Sequence, residues 1–106
     1  MAVEESKIFE GQNVQFIFTV KDQDGAVVDV SLATEMTLYL DNNTTAPVSK
    51  TMTHLTDGLD GKVTYTTTTS DLNVGDTTWK AQGKVVIAGN EYPTTIVEFK
   101  VHKKIY

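Results

Sequence analysis

Two Asp-Gly segments hold the residues best suited to bind a metal ion. Asp22-Gln23-Asp24-Gly25 begins like a calcium loop, in which carboxylates alternate along the chain before a glycine. Such a loop also needs a glutamate at its twelfth position, where this chain has Ala33. The segment 57–61 contains two Asp-Gly pairs, which are typical of hairpin turns. We therefore interpret both segments as turns and expect no bound metal and no cofactor.

The histidines and serines do not form a pattern typical of catalysis. His54 and His102 are the only histidines, and neither lies in a zinc-ligand motif. The chain has no Gly-x-Ser-x-Gly segment and no cysteine, so two common nucleophile arrangements are missing. We predict that the protein is not an enzyme and that its fold has no disulfide.

A carbohydrate-binding surface would need exposed aromatic rings. The alternation of apolar and polar residues places Trp79 and Tyr65 on inward faces, which leaves Tyr39 and Tyr92 as the exposed rings. The run 66–69 consists of four threonines, and we interpret it as a solvent-facing strand edge. Two separate tyrosines make a small platform for a sugar.

The charge balance argues against nucleic acid as a partner. The 106 residues carry a net charge of −5, with 14 acidic and 9 basic residues. All the basic residues are lysines, and arginine is the usual bidentate reader of phosphate and guanine. No apolar run approaches the ~18 residues of a membrane span, so no membrane partner is expected. The charged segment 1–7 does not resemble a secretory signal.

The residues around the single tryptophan predict the central strand of the fold. Every second residue from Trp79 to Ile87 is apolar or glycine, and the residues between them are mostly polar. A period of two with one apolar face is typical of a half-buried strand. Ala81 and Gly83 follow on the same face, where the large ring has room to spread.

Six further segments alternate in the same way, or end at turn residues. They lie near residues 14–20, 27–32, 36–40, 48–55, 63–65 and 95–101. The spacing predicts an all-β, immunoglobulin-like β-sandwich of about seven antiparallel strands, forming one domain over residues 1–106. A jelly roll or a small barrel is the structural alternative. The predicted core consists of Phe16, Phe18, Leu38, Leu40, Tyr65, Trp79, Val85, Val97 and Phe99.

Both ends of the chain carry apolar residues outside these strands. We expect short arms at residues 1–7 and 102–106. Flexible arms with apolar tips can dock on a neighbouring chain and add a strand to an exposed edge. The candidate interaction residues are Ile8, Phe9, Ile105 and Tyr106. In the alternative interpretation, the Ile8-Phe9 pair completes a sheet and the C-terminal pair is a frayed end.

The segment 14–34 resembles the N-terminal immunoglobulin-like domain of bacteriophage baseplate upper proteins. The shared features are an apolar strand, the Asp22–Gly25 turn, and the segment Val28-Asp29-Val30-Ser31-Leu32-Ala33. A strand like 36–40, a Gly61-Lys62-Val63 start, a Leu72-x-x-Gly75 corner and a final Phe99-x-Val101 are also similar, so the resemblance covers residues 8–101. It implies a scaffold without catalytic residues. Baseplate upper proteins continue into a trimerising region, whereas this chain stops, so we expect a small virion protein.

Two functional hypotheses follow. The first is a non-enzymatic structural component of a phage particle, such as a capsid decoration protein or a tail or baseplate accessory protein. Its partners would be other virion proteins or copies of itself, and its location would be the virion, after synthesis in the host cytoplasm. The second is a carbohydrate-binding or adhesin-type module that uses the loops 42–47 or 57–61.

Overall fold

The computed structural model describes residues 8–44 and 46–105, and these contain nine strands and no helix. The predicted all-β class is confirmed. The strand number differs from the predicted seven. The segment 48–55 forms two strands, and residues 8–9 and 90–93 each form a further one, whereas the predicted strand over 27–32 forms only an isolated bridge between Val27 and Lys21. The strands are β1 Ile8–Phe9, β2 Gln15–Thr19, β3 Glu35–Asp41, β4 Val48–Thr51, β5 Thr53–His54, β6 Lys62–Thr66, β7 Thr77–Ile87, β8 Asn90–Pro93 and β9 Val97–His102.

The strands form two sheets in a sandwich-like arrangement. The larger sheet has the order β1-β9-β7-β3-β4, and β8 also pairs with β7. The smaller sheet has the order β2-β6-β5. All neighbouring strands are antiparallel except β1 and β9, which run parallel with Ile8 opposite Val101. The prediction of purely antiparallel strands is therefore wrong, because the chain enters the larger sheet beside its own last strand.

Strand β7 lies at the centre of the larger sheet and shows the predicted alternation. Trp79, Ala81, Gly83 and Val85 are buried, and the residues between them are half-buried or exposed. A Cβ atom on Gly83 would lie 2.9 Å from the methyl carbon of Met52 and 3.1 Å from Cγ2 of Thr94. The glycine therefore leaves room for side chains that pack against this strand.

Thr94 separates β8 from β9 while keeping both on one edge of β7. Its N–H donates to the carbonyl oxygen of Gly83 at 2.9 Å, and its hydroxyl accepts the Gly83 N–H at 2.8 Å. The side chain thus replaces one backbone partner where the ladder is interrupted. Gln82 closes the gap, because its side-chain amide donates to the Thr94 carbonyl at 2.9 Å.

The predicted single strand over 48–55 changes sheets at Met52. Residues before it pair with β3 in the larger sheet, and residues after it pair with β6 in the smaller one. Met52 is buried, and its N–H donates to the carbonyl oxygen of Met36 at 2.8 Å. The change of sheet gives the chain a link across one side of the sandwich.

Six of the nine predicted core residues are buried, namely Phe16, Phe18, Leu38, Leu40, Trp79 and Val85. Tyr65 and Phe99 are half-buried and pack against this core. Val97 differs, because 39% of its surface is exposed. It shares the inward face of β9 with Phe99 and Val101, so the alternation is right, but the smaller sheet does not cover it. The prediction that Val97 is a core residue is therefore wrong.

Candidate functional site

The main polar cluster among the described residues surrounds the buried carboxylate of Asp71. Tyr65 donates its hydroxyl to Oδ2 at 2.6 Å, and the Thr68 N–H donates to the same oxygen at 2.8 Å. The ammonium group of Lys50 lies 3.0 Å from Oδ1. Lys50 stands beside Leu38 on the inner face of edge strand β4, so its side chain reaches from the larger sheet to the corner that follows β6. The cluster therefore joins the two layers.

The protonation states of this cluster suit a clamp rather than acid–base chemistry. Burial alone would raise the pKa of Asp71, but hydrogen bonds from Tyr65, Thr68 and Lys50 outweigh it, so the pKa lies below its ordinary value. Burial and the neighbouring carboxylate raise the pKa of Tyr65 to about 12. At neutral pH the carboxylate is charged and the phenol is protonated. A general base or acid needs a pKa near the working pH, and neither group has one.

Trp79 lies in the interior and does not form a binding platform. Its side chain is buried, and its indole N–H donates to the carbonyl oxygen of Val74 at 3.0 Å. Val74 belongs to the corner that starts at Asp71, so the ring ties this corner to the central strand.

The aspartates of the two Asp-Gly segments bind backbone groups of their own turns. Oδ1 of Asp22 accepts the N–H groups of Asp24 and Ala26 at 2.9 and 3.0 Å. Oδ1 of Asp60 accepts the Lys62 N–H at 3.0 Å, and this bond is the largest cause of its lowered pKa. Within residues 8–44 and 46–105, no three carboxylate, histidine or cysteine side chains come close enough to hold a metal ion.

The two histidines each contact another segment of the chain. Nε2 of His54 lies 2.7 Å from the carbonyl oxygen of Val30, which fixes the ring against the loop before β3. The ring of His102 lies 5.7 Å from the ring of Phe9, between the parallel strands β1 and β9. Both contacts are local packing or hydrogen-bonding contacts between chain segments.

Tyr39 lies on the outer face of the larger sheet, as predicted, beside a shallow groove of about 280 Å³. The ammonium group of Lys84 stands over its ring at 5.8 Å from the centroid and 3.1 Å from Oε2 of Glu35. The hydrogen bond between Lys84 and Glu35 lowers the pKa of Glu35 and raises the pKa of Lys84. Lys84 thus occupies one side of the ring. The groove is lined by Tyr39, Asp41, Pro47, Lys80, Ala81, Gln82 and Ile96.

Tyr92 lies far along β8, in a different cleft, and is half-buried rather than fully exposed. This cleft has a volume of about 580 Å³ and lies between the Asp22–Gly25 turn and Pro93. The two tyrosines therefore line separate depressions and do not form one aromatic platform.

The terminal apolar residues differ in their surroundings. Ile8 is half-buried in β1, and Phe9 beside it is exposed. Ile105 is fully exposed, and Tyr106 lies outside the described residues, as do residues 1–7 of the predicted N-terminal arm. His102, assigned to the C-terminal arm, is the last residue of β9. For residues 8–9 the structure matches the alternative in which they complete a sheet.

The outer edge of β2 is open. The Val20 N–H donates to Gly61 and the Thr67 N–H donates to Val14, so even-numbered residues turn their backbone groups toward β6. The N–H and C=O groups of Gln15, Ile17 and Thr19 then face the other edge, where no described strand pairs with β2. The five residues of β2 carry no charge and no proline.

The other described edges carry features that discourage pairing. Strand β4 contains Lys50 and follows Pro47, and β8 ends in Pro93. Strand β1 pairs with only the last two residues of β9, and the rest of that edge carries Glu98 and Lys100. Strands β1 and β5 have only two residues each. Short edges, lysine and proline are common protections against edge-to-edge association. Sequence reasoning missed the open β2 edge, because it depends on which strands become neighbours.

Comparison of the chain with models of protein families, with curated proteins and with solved structures finds no match. Within the described part of the chain, there is no helix long and apolar enough to cross a membrane.

Proposed function

We propose that this chain is a non-enzymatic, immunoglobulin-like structural domain of a bacteriophage particle. In this role it is a capsid decoration protein or a tail or baseplate accessory protein. It acts through protein–protein contacts with other virion proteins or with further copies of itself, and its place of action is the virion.

The strand order supports the immunoglobulin-like part of this proposal. If β2 to β7 take the letters B, C, C′, D, E and F of that fold and β9 takes G, the smaller sheet reads B-E-D and the larger sheet reads G-F-C-C′. Strand β8 takes no letter, because it shares one edge of β7 with β9. The buried tryptophan differs from the usual one in its strand, because Trp79 lies on β7, the F strand, rather than on C. The phage assignment is supported by the sequence resemblance alone.

The observation that carries the non-enzymatic part is the Asp71 cluster. Its carboxylate is charged and saturated by three donors, and its phenol is held protonated far above neutral pH. The buried carboxylate of Asp71 therefore serves to hold the two sheets together. Contact through surfaces and edges is the activity that such a scaffold supports best.

Mass spectrometry of gradient-purified phage particles tests this function. We expect the chain to sediment with the particles and to be present in many copies per particle, at a ratio set by the symmetry of the capsid or tail. Recovery only from the soluble fraction of infected cells, with no copies in purified particles, would contradict the proposal.

A carbohydrate-binding module is the second candidate, and the exposed ring of Tyr39 beside Asp41 and Gln82 favours it. A glycan array with the wild-type chain and the Tyr39→Ala variant tests it. Saccharide binding that disappears in the variant would select this function.

A further inference from the structure

The inner face of the larger sheet is covered in its middle and uncovered at both sides. Val48 lies opposite Leu40, Leu40 opposite Ala81, and Ala81 opposite Val97, so these four side chains form one row across four strands. Leu40 and Ala81 are 1% and 0% exposed, whereas Val48 and Val97 are 42% and 39% exposed. The three strands of the smaller sheet cover the centre of the row and stop short of both ends.

The open edge of β2 lies on the Val97 side of this row. The ring of Phe16 on β2 is 5.3 Å from the ring of Phe99, which lies two residues beyond Val97 on the same face of β9. The unpaired backbone groups of β2 and the uncovered side chain of Val97 are therefore neighbours. One additional strand beside β2 would satisfy both.

We propose that the β2 edge accepts an extended strand from a neighbouring polypeptide chain. The backbone of this strand pairs with the free N–H and C=O groups of Gln15, Ile17 and Thr19. Every second side chain points inward and covers Val97 and Phe99. This is strand addition, in which backbone pairing supplies affinity and alternate side chains supply specificity.

The surroundings of the edge define the chemistry of the partner. The solvent-facing side chains of β2 are those of Gln15, Ile17 and Thr19, and none of them is charged. The inner surface below the edge consists of Val97 and Phe99. A charged inward side chain would be buried without a partner, which is costly. The strand that fits is about five residues long, apolar at inward positions and neutral at outward ones.

A lone strand fits this space better than the β2 strand of a second copy. Strands in a sheet lie about 4.8 Å apart, and facing sheets lie about 10 Å apart. Because β9 lies below β2, a second β2 would bring its own β9 beside the first copy's β9, where β1 already pairs with that strand. The inference rests on the proposed function in one respect, namely that the partner strand comes from a neighbour in an assembly.

NMR titration with a synthetic peptide tests the edge without particles, so its failure is separate from failure of the phage assignment. The probe alternates threonine and valine over seven residues and carries a lysine at each end. We expect chemical-shift changes and slower amide exchange at Gln15, Ile17 and Thr19 when the peptide is added to the full chain. A second peptide, N-methylated on the amides of one edge, should bind at least about tenfold more weakly, a loss of ~1.4 kcal/mol.

Two valine variants form a matched pair. Val97→Asp places a charge under the proposed strand and should weaken peptide binding at least about tenfold. Val48→Asp places the same charge at the other end of the row, at nearly the same exposure, and should leave binding unchanged. Ile17→Pro removes one N–H group at the open edge of β2 and leaves the hydrogen bonds between β2 and β6 in place. This variant should also bind the peptide more weakly.

Three results would overturn the inference. The first is equal binding by the Val97 and Val48 variants, and the second is no shift at the β2 amides with millimolar peptide. The third is slow exchange of these amides without peptide that becomes fast when residues 1–7 are deleted, because the chain's own N-terminus would then occupy the edge.

Discussion

The hydroxyl of Tyr65 lies 2.6 Å from Oδ2 of Asp71, and this pair connects the smaller sheet to the corner that precedes the central strand. Lys50 extends the connection to the far edge of the larger sheet. Three residues from three separate segments thus fix the position of the two sheets relative to each other. A hydrogen bond to a charged group contributes about 1.5–3 kcal/mol, roughly twice the contribution of a neutral pair.

Replacing Tyr65 by phenylalanine should destabilise the domain. The substitution keeps the ring and removes one donor from a buried carboxylate, so the free energy of unfolding should fall by about 1.5–3 kcal/mol. Urea denaturation measures this loss. Tyr92→Phe is the control, because that half-buried tyrosine has no hydrogen-bond partner for its hydroxyl among the described residues. Equal losses in the two variants would show that the Asp71 contact contributes nothing.

Stability should decline at both ends of the pH scale. The pKa of Asp71 is lowered in the folded state, so its contribution is present above the ordinary carboxyl range and is lost as the pH falls below about 4. The pKa of Tyr65 is raised to about 12, so its contribution is complete below its ordinary value of about 10 and is lost as the pH rises toward 12.

The Tyr65→Phe variant separates this alkaline effect from that of Lys84, whose pKa is also raised. The urea midpoint of the wild type should fall more steeply than that of the variant between about pH 10 and 12. Parallel curves for the two proteins in that range would contradict the assignment.

Much of the fold could be predicted from local patterns. The alternation around Trp79 and Phe16 gave the positions of β7 and β2 and their inward faces, since a strand exposes its two faces with a period of two. Alternation does not tell how far the opposite sheet extends. Val97 therefore appeared to be a core residue, although its face of β9 is only partly covered.

The Asp71 cluster and the parallel β1–β9 pair could not be predicted in this way. The cluster joins residues 50, 65 and 71, and nothing in their spacing indicates that Lys50 reaches from one sheet to the other. Strand β1 has only two residues, and its partner lies more than ninety positions later in the chain. Both features depend on contacts that form only when the sheets assemble.

Replacing Trp79 by alanine should remove a large part of the stability. The buried ring fills the centre of the larger sheet's inner face, and loss of such a ring costs about 3–5 kcal/mol. The tryptophan fluorescence of the folded wild type should be blue-shifted relative to the unfolded chain. An emission maximum typical of hydrated indole in the folded state would contradict the burial of this ring.

Gly83→Ala should destabilise the domain by about 1–3 kcal/mol, because the added methyl group overpacks the space beside Met52 and Thr94. In an uncrowded strand the same change is expected to be stabilising, since glycine carries an entropic cost. Thermal melts of the single variant and of Gly83→Ala combined with Met52→Ala measure the effect. The loss caused by Gly83→Ala should be smaller in the Met52→Ala background than in the wild type, and equal losses would contradict this packing.

The most direct test of the central claim is rebinding of the purified chain to phage particles made without its gene. The account predicts saturable co-sedimentation at a fixed number of copies per particle, weakened at least about tenfold by Val97→Asp and unchanged by Val48→Asp. An absence of binding by the folded wild-type chain, at concentrations well above those in an infected cell, would contradict the claim that it is a structural domain of the particle.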